Sequence, residues 1–168
     1  MARFVIVLPL APLAAGDEFT VADWPLHVTL VEPFQADPAT VDVDGLVAVI
    51  GAVAAAAKAV RASAGEAAMF GRRRDVPVTL VQDGGELDAL RIRTLAALRE
   101  AGIDVSGARD DFRPHVTRKQ HAHLPPGDRV EFGTVALIDM RPAAGAHHRS
   151  VIASWRLGAT SAEPRHHR

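Results

Sequence analysis

The chain has 168 residues, 48% of them hydrophobic, with 19 basic against 20 acidic side chains and no cysteine. That size and hydrophobicity suit one domain with a substantial core and exclude a disordered chain. The net charge of −1 excludes a global field that would pull the protein onto duplex DNA, and the missing cysteines exclude disulfide and thiolate chemistry.

In chain order, residues 3–10 are a continuous apolar run closed by Pro9 and Leu10, which predicts a buried strand. The alternative is a short signal peptide ending at Ala14-Ala15-Gly16, but its charged region is a single arginine and Pro9 interrupts the run. Residues 11–25 read as a loop and 27–31 as a short strand stopped by Pro33. Residues 42–62 carry Leu46, Ile50, Val53, Ala57 and Val60 at helical spacing, with Thr40 or Asp42 as cap.

Residues 63–70 and 76–81 read as two strands joined by a turn containing Arg72-Arg73-Arg74, a sequence that is ordinarily just solvated, with contact to an RNA backbone as the alternative. Residues 86–101 predict a second helix, with Leu87, Leu90, Thr94, Leu95 and Leu98 inward, Arg91, Arg93, Arg99 and Glu100 outward, and Gly102 as the residue that ends it. A strand is expected near residue 115, a long strand or bent strand pair over 129–140, a last strand over 150–157, and a loose tail over 159–168 after a single domain of residues 1–158. The order lacks sustained βαβ alternation and a glycine-rich phosphate loop, so the class is α+β with antiparallel sheet; a tripeptide repeated in both halves suggests two pseudo-symmetric lobes around a central cleft. No apolar run approaches the roughly 20 residues that span a bilayer. A cytoplasmic protein and a monomer are the expectations.

One tripeptide occurs in both halves: His27-Val28-Thr29 and His115-Val116-Thr117. Residues i and i+2 of a strand share a face, so each copy places an imidazole and a hydroxyl side by side and turns its valine the other way. A single His-x-Ser/Thr match is weak, as the third one, His148-Arg149-Ser150 in an expected loop, demonstrates. The other two share the central valine and a nearby preceding proline, Pro25 or Pro114, a residue tolerated at strand starts.

With Pro25-Leu26-His27-Val28-Thr29-Leu30 and Phe112-Arg113-Pro114-His115-Val116-Thr117, the chain resembles the two-histidine (2H) phosphoesterase superfamily, in particular its bacterial 2′-5′ RNA ligase and cyclic phosphodiesterase branch. That family carries two His-x-Thr/Ser-hydrophobic motifs in a pseudo-symmetric, bilobal α+β fold. Here Arg118 stands where the family prefers a hydrophobic residue. The resemblance implies that His27 acts as acid and His115 as base, roles that exchange when the reaction runs in reverse.

Two imidazoles titrating near pH 6.5 suit concerted proton transfer at a phosphodiester without metal or other cofactor. Thr29 and Thr117 are candidate donors to the phosphate oxygens, as are Lys119 and Arg118 beside the second motif, with Arg113 flanking it. Lys119 is geometrically preferred, since strand alternation puts it on the face of His115 and Arg118 on the other. Phe34 and Phe112 lie near the motifs as base-stacking candidates, with core packing the plainer reading, and Trp24 and Trp155 read as packing alone. A zinc site at His115, His121 and His123, or at His147 and His148, lacks any recognised ligand spacing.

The expected activity is a metal-independent phosphoesterase acting on 2′,3′-cyclic phosphates of RNA 3′ termini or small cyclic nucleotides, with 2′-5′ ligation as its reverse. A non-catalytic RNA or nucleotide binder that keeps the cleft is the alternative.

Overall fold

The computed structural model describes residues 2–158; the expected tail, residues 159–168, lies outside them. The apolar run at the start forms β1 (Ala2–Pro9), followed by β2 (Glu18–Thr20), β3 (His27–Ala36), α1 (Val43–Ala56), β4 (Val60–Phe70), β5 (Val76–Gln82) and α2 (Glu86–Glu100). The chain then continues through β6 (His115–Thr117), β7 (Arg129–Phe132), β8 (Thr134–Asp139) and β9 (His148–Arg156). All nine strands join one sheet in the order β2-β9-β8-β1-β3-β6-β5-β4-β7, and every pairing is antiparallel.

This order forces curvature. Only Gly133 separates β7, at one edge, from β8, two strands in from the other. With consecutive Cα atoms 3.8 Å apart, Phe132 and Thr134 lie within about 7.6 Å, so the sheet curls until its far ends approach each other. The expected strand over 129–140 is therefore a broken pair serving both ends. The two halves of the curled sheet meet at β3 and β6, whose register pairs Val28 with Val116.

Both helices pack on one face. Leu46, Ile50 and Ala54 of α1 and Leu87, Leu90, Leu95 and Leu98 of α2 join Phe4, Ile6, Leu8, Val28, Leu30 and Val116 in the main core. Strand alternation sends the remaining apolar residues of the central strands to the opposite face, where Val5, Val7, Ala136, Ile138 and Val151 gather with Trp24 in a smaller cluster.

Several elements differ from expectation for identifiable reasons. Asp42 caps α1 by accepting from the Gly45 amide at 2.7 Å, as expected, but the helix stops at Ala56. Its would-be last turn instead pairs with β7, Val60 with Phe132 through Ser63 with Arg129, so tertiary pairing overrides helical periodicity. Strand β3 runs past Pro33 to Ala36; on its β6 side pairing is confined to Val28, so a missing proline N–H there breaks no ladder. The third His-x-Ser match is not loop: His148, Arg149 and Ser150 open β9 and pair with Thr20, Phe19 and Glu18. Arg91, expected outward, is 2% exposed.

Candidate active site

The Val28–Val116 register builds the site. Both valines enter the helix-covered core, so their neighbours face the other way. Antiparallel pairing then sets His27 opposite Thr117 and Thr29 opposite His115. On the flanking strands Pro9 pairs with His27, Val7 with Thr29, Val78 with Thr117 and Leu80 with His115. The result is two rows, Pro9-His27-Thr117-Val78 and Val7-Thr29-His115-Leu80, related by a local two-fold axis. The imidazoles occupy diagonal positions, for which backbone spacing is roughly 7–8 Å, a gap suited to a phosphate. The two pairs are thus neighbours on one curled sheet.

The same local device fixes both rings. Nδ1 of His27 donates to the Pro25 carbonyl at 2.7 Å, and Nδ1 of His115 donates to the Arg113 carbonyl at 2.8 Å. Each bond reaches back two residues, to a carbonyl in the segment that leads into the strand. With Nδ1 committed, Nε2 is the nitrogen left free in each ring to accept or deliver a proton.

The surroundings of the two rings differ. Trp24 stacks on His27, with centroids 4.6 Å apart and planes 29° from parallel, whereas Phe70 meets His115 edge-on at 4.6 Å. Burial pushes the His27 pKa down to about 4, the positive charges of Lys119 and His115 push the same way, and the Pro25 hydrogen bond opposes them. His27 therefore stands as a neutral imidazole at physiological pH. Lys119 Nζ lies 5.9 Å and Arg149 Cζ 5.5 Å from the Trp24 ring centroid, and burial lowers the Lys119 pKa.

The other candidates separate. Lys119 comes beside His27, while Arg118 is exposed and lines a different hollow with Val78, His123 and Pro126. Phe112 lines the cavity that holds His115. Phe34 does not: it is 6% exposed in the core, 6.1 Å from Phe4, which removes it as a base-stacking surface. Among the described residues, no three His, Cys, Asp or Glu side chains are grouped so as to hold a metal ion.

Four residues near the site escaped sequence reasoning: Trp24, Phe70, Arg91 and Arg149. Arg91 was the most accessible, because it shares the apolar stripe of α2 with Leu87, Thr94 and Leu95 at helical spacing. Its guanidinium donates to the carbonyls of Leu30 and Arg109 at 2.8 Å each, pairs with Glu32 at 3.0 Å, and lies 4.7 Å from the Phe112 ring centroid. It thereby ties the segment leading into β6 to β3.

A cavity of about 510 Å³ opens beside the rows, reaching from Thr29 and His115 to Phe70 and Arg74 on one side and Arg109 and Phe112 on the other. The sequence profile of the 2′-5′ RNA ligase superfamily matches residues 10–131, a span that includes both motifs. The chain belongs to the 2′-5′ RNA ligase superfamily. Solved structures share its fold at low identity. TT0787 of Thermus thermophilus is 20% identical with a TM-score of 0.63, covering 94% of this chain and 98% of its own. E. coli LigT complexed with 3′-AMP is 17% identical with a TM-score of 0.59, covering 94% and 99%. A further phosphoesterase is 18% identical with a TM-score of 0.59, covering 95% and 100%. No curated protein matches the sequence significantly. Superfamily membership makes the coarse class a 2H phosphoesterase or ligase.

Proposed function

We propose that the protein hydrolyses 2′,3′-cyclic phosphates of RNA ends or nucleotides by metal-independent acid–base catalysis, with His27 and His115 as the proton-transfer pair. The observation that carries this reading is the Val28–Val116 register, which sets two imidazoles with free Nε2 atoms and two hydroxyls on one open face. E. coli LigT, which shares the fold, has been crystallised with 3′-AMP, and a nucleotide of that kind suits the cavity beside His115.

In the hydrolytic direction, a neutral imidazole takes a proton from water as the water oxygen bonds to phosphorus. The bond from phosphorus to one ribose oxygen breaks, and the second imidazole, protonated beforehand, gives its proton to that oxygen. The hydroxyls of Thr29 and Thr117 and the ammonium of Lys119 donate to the non-bridging oxygens, where charge builds. The neutral state of His27 fits it for the base role, leaving His115 as acid, the reverse of the assignment that the family resemblance implies. Ligation through a ribose hydroxyl is the same path run backwards.

Alanine at either His27 or His115 is expected to lower kcat for a nucleoside 2′,3′-cyclic phosphate by about 10²–10⁴-fold, with chelator leaving the wild-type rate unchanged. Full activity in both single variants overturns the mechanism. Nucleotide binding without turnover in the wild type makes the protein a binder.

A further inference from the structure

Helix α1 is apolar nearly all the way round. Asp44 is its one charged residue. Leu46, Ile50 and Ala54 face the core, yet on the outer side Ala48, Ala52, Ala55 and Ala56 are exposed and Val43 is 44% exposed. A helix without a polar face ordinarily has something packed on every side. On the neighbouring α2, Ile92 is 58% exposed.

Between the two helices runs a groove of about 480 Å³, walled by Val49, Val53 and Ala56 from α1 and by Ala97 and Ala101 from α2. The helices are antiparallel: Ala56 and Lys58 border the same hollow as Glu86 and Ala89, while Gly102 at the far end lies against Thr40. The charged residues on the groove are Arg93 and Glu100. Two helical turns separate them along one face of α2, about 10 Å, so they mark its opposite ends. Among the described residues neither forms an ion pair; the pairs are Arg61 with Glu131 and Arg91 with Glu32.

This arrangement is self-complementary. Arg93 and Glu100 each stand three residues out from the central pair Ala96-Ala97. A two-fold axis through that pair lays α2 antiparallel on a second copy of itself, alanine on alanine, with each Arg93 against the other copy's Glu100. The same axis stacks the exposed alanines and valines of α1 on their counterparts. We propose that the outer face of α1 and α2 is the interface of a symmetric dimer of this chain, in place of the monomer expected from the sequence. A partner carrying one sign of charge satisfies one end of the groove, whereas a second copy satisfies both ends on both protomers. The imidazoles lie on the opposite face of the sheet, so dimerisation leaves both of them open to solvent on the outside of the pair.

Sedimentation equilibrium of the full chain tests the dimer. Over about 1–100 µM the wild type moves toward twice the 17.9 kDa of one chain. Arg93→Glu or Glu100→Arg sets like charges together at two places in the interface and raises the dissociation constant about tenfold; the double reversal, Arg93→Glu with Glu100→Arg, restores it. Ala52→Arg, a good helix former at an exposed position, keeps the circular dichroism of the wild type and gives the mass of a single chain. Arg72→Glu, on the turn between β4 and β5, leaves the dimer unchanged. A single-chain mass for the wild type at the highest concentration overturns the proposal and leaves the groove to a different partner. A dimer that both single reversals and Ala52→Arg leave intact overturns it too, as does a double reversal no stronger than the singles.

Discussion

Trp24 contributes more than packing. Its indole lies flat on His27, and in the free protein that imidazole exchanges water for an aromatic face with Lys119 nearby, a setting that disfavours the charged ring. Two outcomes follow for pH. If His27 is the base, kcat/KM rises with pH through about 4 and has levelled by 6.5 on that limb. Trp24→Leu rehydrates the ring and moves the limb upward, costing on the order of tenfold at pH 5 and nothing at pH 8; the His27 proton resonances, followed by NMR, should move in parallel. The same shift links to stability. The unfolded chain binds a proton at His27 below about 6.5 that the folded chain refuses until about 4, so stability is full above that window and declines as pH falls through it, by at most about 3 kcal/mol. Urea unfolding at pH 7 and pH 4.5 measures the difference, and His27→Asn should remove most of it. Nothing in the sequence around Trp24 announced this role, because the contact depends on where a 20-to-25 turn happens to lay the side chain.

At the scale of elements, α2 does two jobs through one stripe. Its leucines seal the core, while Arg91 passes among them to reach β3 and the segment entering β6. Replacing Arg91 with leucine strands the carbonyls of Leu30 and Arg109 and leaves Glu32 without its partner, a loss of about 2–4 kcal/mol. Chemical denaturation reads that loss. Arg91→Lys should recover little, since a single ammonium cannot span the same partners. Because the segment carries Arg109 and Phe112 of the cavity, KM should rise in both variants. Elements whose identity rests on local pattern were legible: β1, the leucine face of α2, the Asp42 cap, and the motif strands. Those decided by a distant partner were not. The residues after Ala56 look helical until β7 offers itself, and His148 looks like loop until β2 does.

At the scale of the whole molecule, the motif repeat revealed that two half-sites meet, and the hydrophobic alternation revealed which face they share. That they meet as adjacent strands could not be read, since strand order depends on the curl imposed where β7 passes into β8. The seam is slender, with β6 only three residues long. A ligand that touches both motifs therefore clamps the two halves. With a nucleoside monophosphate at 100 times its Kd, stability should increase by about 2.7 kcal/mol. Amide exchange should slow most in β6 and the segment before it, and uniform slowing across β1 and β8 would argue against a ligand seated there.

The half-turn that relates one row to the other has a further consequence. A backbone built this way has no preferred polarity: a scissile bond laid across it in either sense encounters the same imidazole, the same hydroxyl and the same spacing. What breaks the tie is upholstery. An indole cushions one ring face-on and a phenyl touches the other by its rim, and Lys119 sits by that indole, so the two halves of the duplicated site differ through side chains that lie outside the tripeptide.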